Sequence, residues 1–84
     1  MTTPVEHHLK IAPEYFEAQM RGNKNFEIRK NDRDYHTGDY LDLCEWDVDH
    51  YTGRRWHVYI TFITDYAQAP GMVVLGTCPM GGFG

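Results

Sequence analysis

Apolar residues recur with a period of two in four separate stretches of this chain, a fifth stretch is a short apolar run, and helical spacing appears in only one. Side chains alternate across a strand but return to one face of a helix every three to four residues, so this pattern commits most of the chain to sheet. In His7–Ile11, Leu9 and Ile11 fall on one side and His8 and Lys10 on the other. Tyr40–Trp46 turns Leu41 and Leu43 inward, and Trp56–Thr64, the longest stretch, aligns Val58, Ile60 and Phe62. Met72–Gly76 is a short apolar strand near the end. In Asn25–Lys30, Phe26 and Ile28 form the face expected in the core, opposite Asn25, Glu27 and Arg29. Thr-Gly-Asp at 37–39 and Pro70-Gly71 mark turns, and Tyr51-Thr52-Gly53-Arg54 reads as the tip of a β-hairpin within the polar connection 47–55.

The helical stretch is residues 13–21. Pro13 suits a first helical turn, where its missing N–H costs nothing. Glu14 and Glu17 near the start and Arg21 near the end complement the helix dipole. Ala12, Phe16 and Met20 share a face, and Gly22 is placed to end the helix in a left-handed conformation. The expected architecture is α+β, mainly β: a small, partly open barrel of about five strands with one helix packed on one side. Residues 7–78 form a single domain in this reading, with 1–6 and 79–84 as flexible tails.

At 84 residues the core has little surface to spare. Two cysteines, Cys44 and Cys78, are too few for the disulfide framework of a small secreted domain, and they are expected to be reduced. No basic-then-apolar leader opens the chain and no apolar run approaches the ~20 residues of a membrane span, so a cytoplasmic location away from membranes is expected. The net charge of −4 argues against tracking a long polyanion, which needs many contacts from Lys and Arg. It leaves room for a nucleotide pocket. Half of the eight basic residues, Arg21, Lys24, Arg29 and Lys30, crowd into one window with Arg33 just beyond, which makes the local field positive.

Several chemistries drop out. The chain has no serine, which removes serine nucleophiles. Neither cysteine has neighbours in sequence that would lower a thiol pKa. The histidines lack HxxxH or HxH spacing, and the Asp47/Asp49/His50 group lacks the glycine of a calcium loop, so no metal is expected. No glycine-rich phosphate loop is present, and no cofactor is expected. What remains is Lys24, Glu27 and Arg29 with the continuation Asn31, Asp32, Arg33 and Asp34. Periodicity alone is equally satisfied by the solvated face of a half-buried strand. In a cleft, a lysine beside a glutamate acts as a general base if burial depresses its pKa; in water the same pair is an ordinary ion pair.

Gly22-x-Lys24-x-x-Glu27-x-Arg29 is similar to the GxKxxExR motif of the ASCH domain, a branch of the PUA-like superfamily. His-His-Leu-Lys-Ile before the helix, Phe-Glu-Ile-Arg-Lys-Asn-Asp-Arg-Asp, Gly38-Asp39, Tyr51-Thr52-Gly53-Arg54 and Ile63-Thr64-Asp65-Tyr66 extend the likeness to the short bacterial and phage form over residues 7–76. The resemblance implies a PUA-like β-barrel whose cleft is lined by the motif, and a single-stranded RNA or nucleotide as partner. It nominates Lys24, Glu27, Arg29, Lys30, Asn31 and Arg33 as ligand-binding residues. Trp46, Tyr66 or Tyr40 would stack on an unpaired base, although core packing is the commoner use of an aromatic side chain.

ASCH-like proteins also include small amidohydrolases that deacylate a modified cytidine, with the motif lysine as base beside a threonine and a late glutamate. Here Lys24 matches, Glu27 stands at the threonine position, and no glutamate follows Glu45. If the domain is an enzyme, Lys24 and Glu27 are the catalytic pair, in such a hydrolase or in a ribonuclease. The alternative from another class is a protein–protein interaction module of phage origin. A monomer is the expected state.

Overall fold

The computed structural model describes residues 3–80. Its elements run β1 (Glu6–Ile11), α1 (Pro13–Met20), β2 (Phe26–Lys30), β3 (Tyr40–Asp47), β4 (His50–Thr64) and β5 (Met72–Pro79). The strands form one sheet in the order β1-β3-β4-β5-β2, with β1 parallel to β3 and every other pairing antiparallel. The expected small α+β, mainly-β fold is therefore present, as a curled half-barrel with one short helix. β4 drives the curl. Its first part pairs with β3 and its second with β5, and each ladder carries a register break, between Cys44 and Trp46 and between Ile60 and Phe62. Such bulges bend a strand and increase its twist.

Leu9, Ile11, Phe16, Tyr35, Leu41, Leu43, Val58, Ile60, Val73 and Leu75 form the core on the concave side. The helix lies across that side, where Phe16 is fully buried. Arg54 stacks on the Phe16 ring at 4.7 Å while reaching Glu17 at 2.7 Å and the buried Glu45 at 2.9 Å, which ties α1 to the sheet. Gly22 ends the helix at φ +76°, as its position predicts.

Four local expectations are corrected. The first concerns β2, which supplies nothing to the core: Phe26 and Ile28 are 39% and 50% exposed, while Glu27 is only 3% exposed. The register explains this reversal. Glu27 pairs with Leu75 and Arg29 with Val73, both core residues, and cross-strand partners share a face.

Second, the hairpin tip is Val48-Asp49, between the paired Asp47 and His50, and Tyr51–Arg54 lies within β4. Gly53, at φ +95°, sits opposite the first register break. Third, the break after Ile60 inserts Thr61 as an extra residue and turns Phe62 outward to 65% exposure, so Ile63 packs on the core in its place. Fourth, Gln19 joins Phe16 on the buried helix face, whereas Met20 reaches the surface.

The chain ends are better tied than the expected tails. Val5 donates its N–H to Asp39 Oδ1 at 3.1 Å and accepts from Tyr40 N–H at 2.9 Å, Glu6 already belongs to β1, and β5 continues to Pro79. Residues 1–2 and 81–84 of those expected tails lie outside the described residues. No helix among the described residues is long and apolar enough to cross a membrane.

Candidate functional site

β1 and β2 are the two edges of the sheet, and the curl brings them to face each other across a seam. A cavity of about 470 Å³ opens there, lined by Lys10, Ile11 and Ala12 on one wall, Lys24 and Phe26 to Arg29 on the other, with Tyr15 from α1. Beyond Lys10 and Arg29 it continues into a second depression of about 410 Å³, whose lining includes His8, Lys30, Asp32, Arg33, Tyr35 and Tyr51. The seam is thus bordered by Lys10, Lys24, Arg29, Lys30 and Arg33.

Glu27 is the centre of the first cavity. Its Oε1 accepts from Arg29 Nη2 at 2.8 Å, and its Oε2 accepts from Gln19 Nε2 at 2.9 Å and from the Lys24 ammonium. A buried carboxylate is tolerable only with such compensation. Parity would place Lys24 on the opposite side from Glu27. The turn after Gly22 removes that constraint: Asn23 and Lys24 both donate their N–H to Ala18 O, at 2.9 and 3.1 Å, and the lysine folds back over the strand start. Its ammonium also donates to Phe26 O at 2.7 Å and lies 5.5 and 5.0 Å from the rings of Tyr15 and Phe26. Two cations share one carboxylate, so the group keeps one surplus positive charge beside two half-exposed aromatic faces.

The expected binding residues separate into those that line the seam and those that do not. Lys24, Glu27 and Arg29 converge in the cavity, and Lys30 and Arg33 border the second depression. Asn31 lines neither; its N–H is bonded to Gly71 O at 2.8 Å in a loop contact. Trp46 packs edge-on against Tyr51 at 4.8 Å, with Lys10 Nζ 3.9 Å above its ring, so it touches the seam only through these two neighbours. Tyr66 is 84% exposed in the β4–β5 loop and lines neither depression.

Gln19, Tyr15 and Lys10 were not nominated from the sequence. Gln19 left a trace, a polar residue one helical turn after Phe16 on the buried face. Lys10 left another, as the outward residue of a strand whose edge proves unpaired.

Charged groups elsewhere brace the frame. Thr52 Oγ1 and the Arg54 guanidinium donate to Glu45, and Arg54, the larger influence, helps hold its pKa down to about 2. For Asp39, burial opposes ionisation, but hydrogen bonds from His7, Val5 N–H and His36 N–H outweigh it and keep the carboxyl below its ordinary range. Burial pushes the Tyr35 phenol and the Cys44 thiol upward.

A curled five-stranded sheet with a carboxylate-centred basic cleft between its edges defines the class of protein. The chain belongs to the family described as a domain of unknown function, DUF3850, whose model matches residues 6–77. It is also similar to the "Uncharacterized 12.9 kDa protein in GpA 3'region" of Escherichia phage P2, with 42% identity over 62 residues, covering 74% of this chain and 57% of that protein. The chain thus spans a little over half the length of that relative.

Proposed function

We propose that this domain binds single-stranded RNA or a nucleotide in the seam between β1 and β2, as a cytoplasmic, monomeric member of the ASCH branch of the PUA-like superfamily. The observation that carries the reading is the convergence of Lys24, Gln19 and Arg29 on the buried Glu27 in a cavity bordered by further basic residues, on a chain of net charge −4. Glu27 is then a positioning group. It fixes the Arg29 guanidinium and the Lys24 ammonium, whose remaining N–H donors suit a phosphate oxygen or a base edge. Tyr15 and Phe26 offer flat apolar faces to a base. The size of the seam favours a short site over an extended track.

Titration with short single-stranded RNAs and free nucleotides at low salt tests the reading. Saturable binding that Arg29→Ala weakens at least tenfold is expected. With three or four phosphate contacts, log K should fall with log salt at a slope of about −2 to −3. Absence of Arg29-dependent binding to every probe would remove it.

The Lys24–Glu27 contact inside a cavity favours one second reading, hydrolysis of an acylated cytidine or related amide with Lys24 as base. Against it, β4 and β5 bring no glutamate to the cleft. Chromatography after incubation with acylated cytidines separates the two. Turnover lost in Lys24→Ala supports the hydrolase, and unchanged substrate rejects it.

A further inference from the structure

The convex face of the sheet carries a second polar cluster, which meets the seam only where His8 borders its second depression. Asp42 alternates with the inward Leu41 and Leu43, so it lies on the outer side of β3, yet none of its surface is exposed. Its neighbours cover it. His8 of β1 and His57 of β4 are its register partners on either side, and Arg55 lies one row further along β4. His8 Nδ1 is 2.8 Å from Asp42 Oδ2, and His57 Nε2 is 3.2 Å from Oδ1. Arg55 Nε is 3.1 Å from Oδ1, with its Nη2 against Oδ2. Cys44, two residues along β3, shares the face.

One donor atom each from His8, Asp42 and Cys44 lies within 4.8 Å of the other two. These are a nitrogen, an oxygen and a sulfur, a mixed set that suits a borderline divalent ion. Zinc bonds of ~2.0–2.3 Å put tetrahedral ligands about 3.3–3.8 Å apart, so the three atoms need to close by no more than about 1.5 Å. Sheet register, and not sequence spacing, assembles the set, which is why no ligand motif is visible in the chain.

We propose that His8, Asp42 and Cys44 bind a zinc-class divalent cation on the convex face, with a fourth position open to solvent. His57 holds the second carboxylate oxygen and orients Asp42, as outer partners of metal ligands do. Arg55 is the built-in competitor: its half-exposed guanidinium neutralises Asp42 and must swing into solvent when the ion enters. Binding releases the Cys44 thiol proton, and His8 coordinates as the neutral imidazole.

Titration of the full chain with Co²⁺ under reducing conditions tests this directly. One equivalent should bind with a thiolate-to-cobalt charge-transfer absorption, which Zn²⁺ removes by displacement. Cys44→Ser should abolish that absorption, whereas Cys78→Ser should retain it. His8→Ala, at a side chain 60% exposed, should weaken Co²⁺ binding at least tenfold. Arg55→Ala should tighten it. Lack of the absorption in the wild type, its persistence in Cys44→Ser, or wild-type affinity in His8→Ala would each overturn the site. Cys44 lines neither depression of the seam, so nucleotide binding in Cys44→Ser is read independently.

Discussion

Glu27 stands directly opposite Leu75 in the β2–β5 ladder, so a carboxylate looks into the same interior as a fully buried leucine. That position would ordinarily hold an apolar side chain. Because it holds a charge, Gln19, Lys24 and Arg29 are drawn inward to satisfy it, and the cleft inherits their polarity.

Removing the anion leaves that compensation stranded. Glu27→Ala is expected to destabilise the fold by about 3 kcal/mol, because breaking a mostly buried ion pair leaves unpaired charge behind. Glu27→Gln keeps the shape and should cost less. Urea denaturation of the two variants alongside the wild type checks the order.

Gln19 is the neutral member of the group, and its Nε2 is also within 3.2 Å of Phe26 O and 3.4 Å of Thr77 Oγ1. Gln19→Ala should therefore cost about 1–2 kcal/mol through the acceptors it strands. It should also reduce the affinity of the cleft, since Glu27 loses a partner that does not compete for ligand. Thermal unfolding and a binding titration on the same variant measure both effects.

Acid stability should depend on Glu45. Its folded pKa, about 2, lies below its ordinary 4.5, so it contributes stability above the ordinary value. That contribution is lost as pH falls from about 4.5 toward 2, where the unfolded chain binds the proton first. Glu45→Gln should flatten the pH dependence of stability in that window and leave its slope above pH 5 unchanged. Chemical denaturation across the range reads this out.

Gly53 and Gly76 should fail for different reasons when changed to alanine. At Gly53 the Cβ meets nothing within 4 Å, and the penalty is the φ of +95° alone, about 1–2 kcal/mol. At Gly76 the Cβ would come within 3.0 Å of Thr61 Oγ1, the residue inserted at the second register break. Thr61→Ala should therefore rescue Gly76→Ala and do nothing for Gly53→Ala, a double-mutant comparison made by thermal unfolding.

Strand and helix positions were legible because alternation and helical spacing are local properties. β1 and β3 show their inward residues openly, and Gly22 announces the helix end. The orientation of β2 was hidden. Phe26 and Ile28 look like core residues when read alone, and only pairing with Leu75 and Val73 shows that they face out. Phe62 misled for a related reason, since the extra Thr61 flips the alternation midway along β4 and no residue type marks the bulge. The motif residues Lys24, Glu27 and Arg29 were visible by spacing. Gln19 and Lys10 enter the site from elements whose proximity to β2 depends on the curl of the whole sheet, which no local window contains.

β1 and β2 are neighbours in the chain but lie at opposite ends of the sheet, so the segment from Ala12 to Asn25 is a strap between the two lips of the seam. Its middle is clamped to the sheet by Phe16 and the Glu17–Arg54–Glu45 chain. The aperture is therefore gauged by the length of a tether that also lines it. Because this one connector also carries Ala12, Tyr15 and Lys24 of the lining, a change in its length resizes the opening and shifts part of its chemistry together.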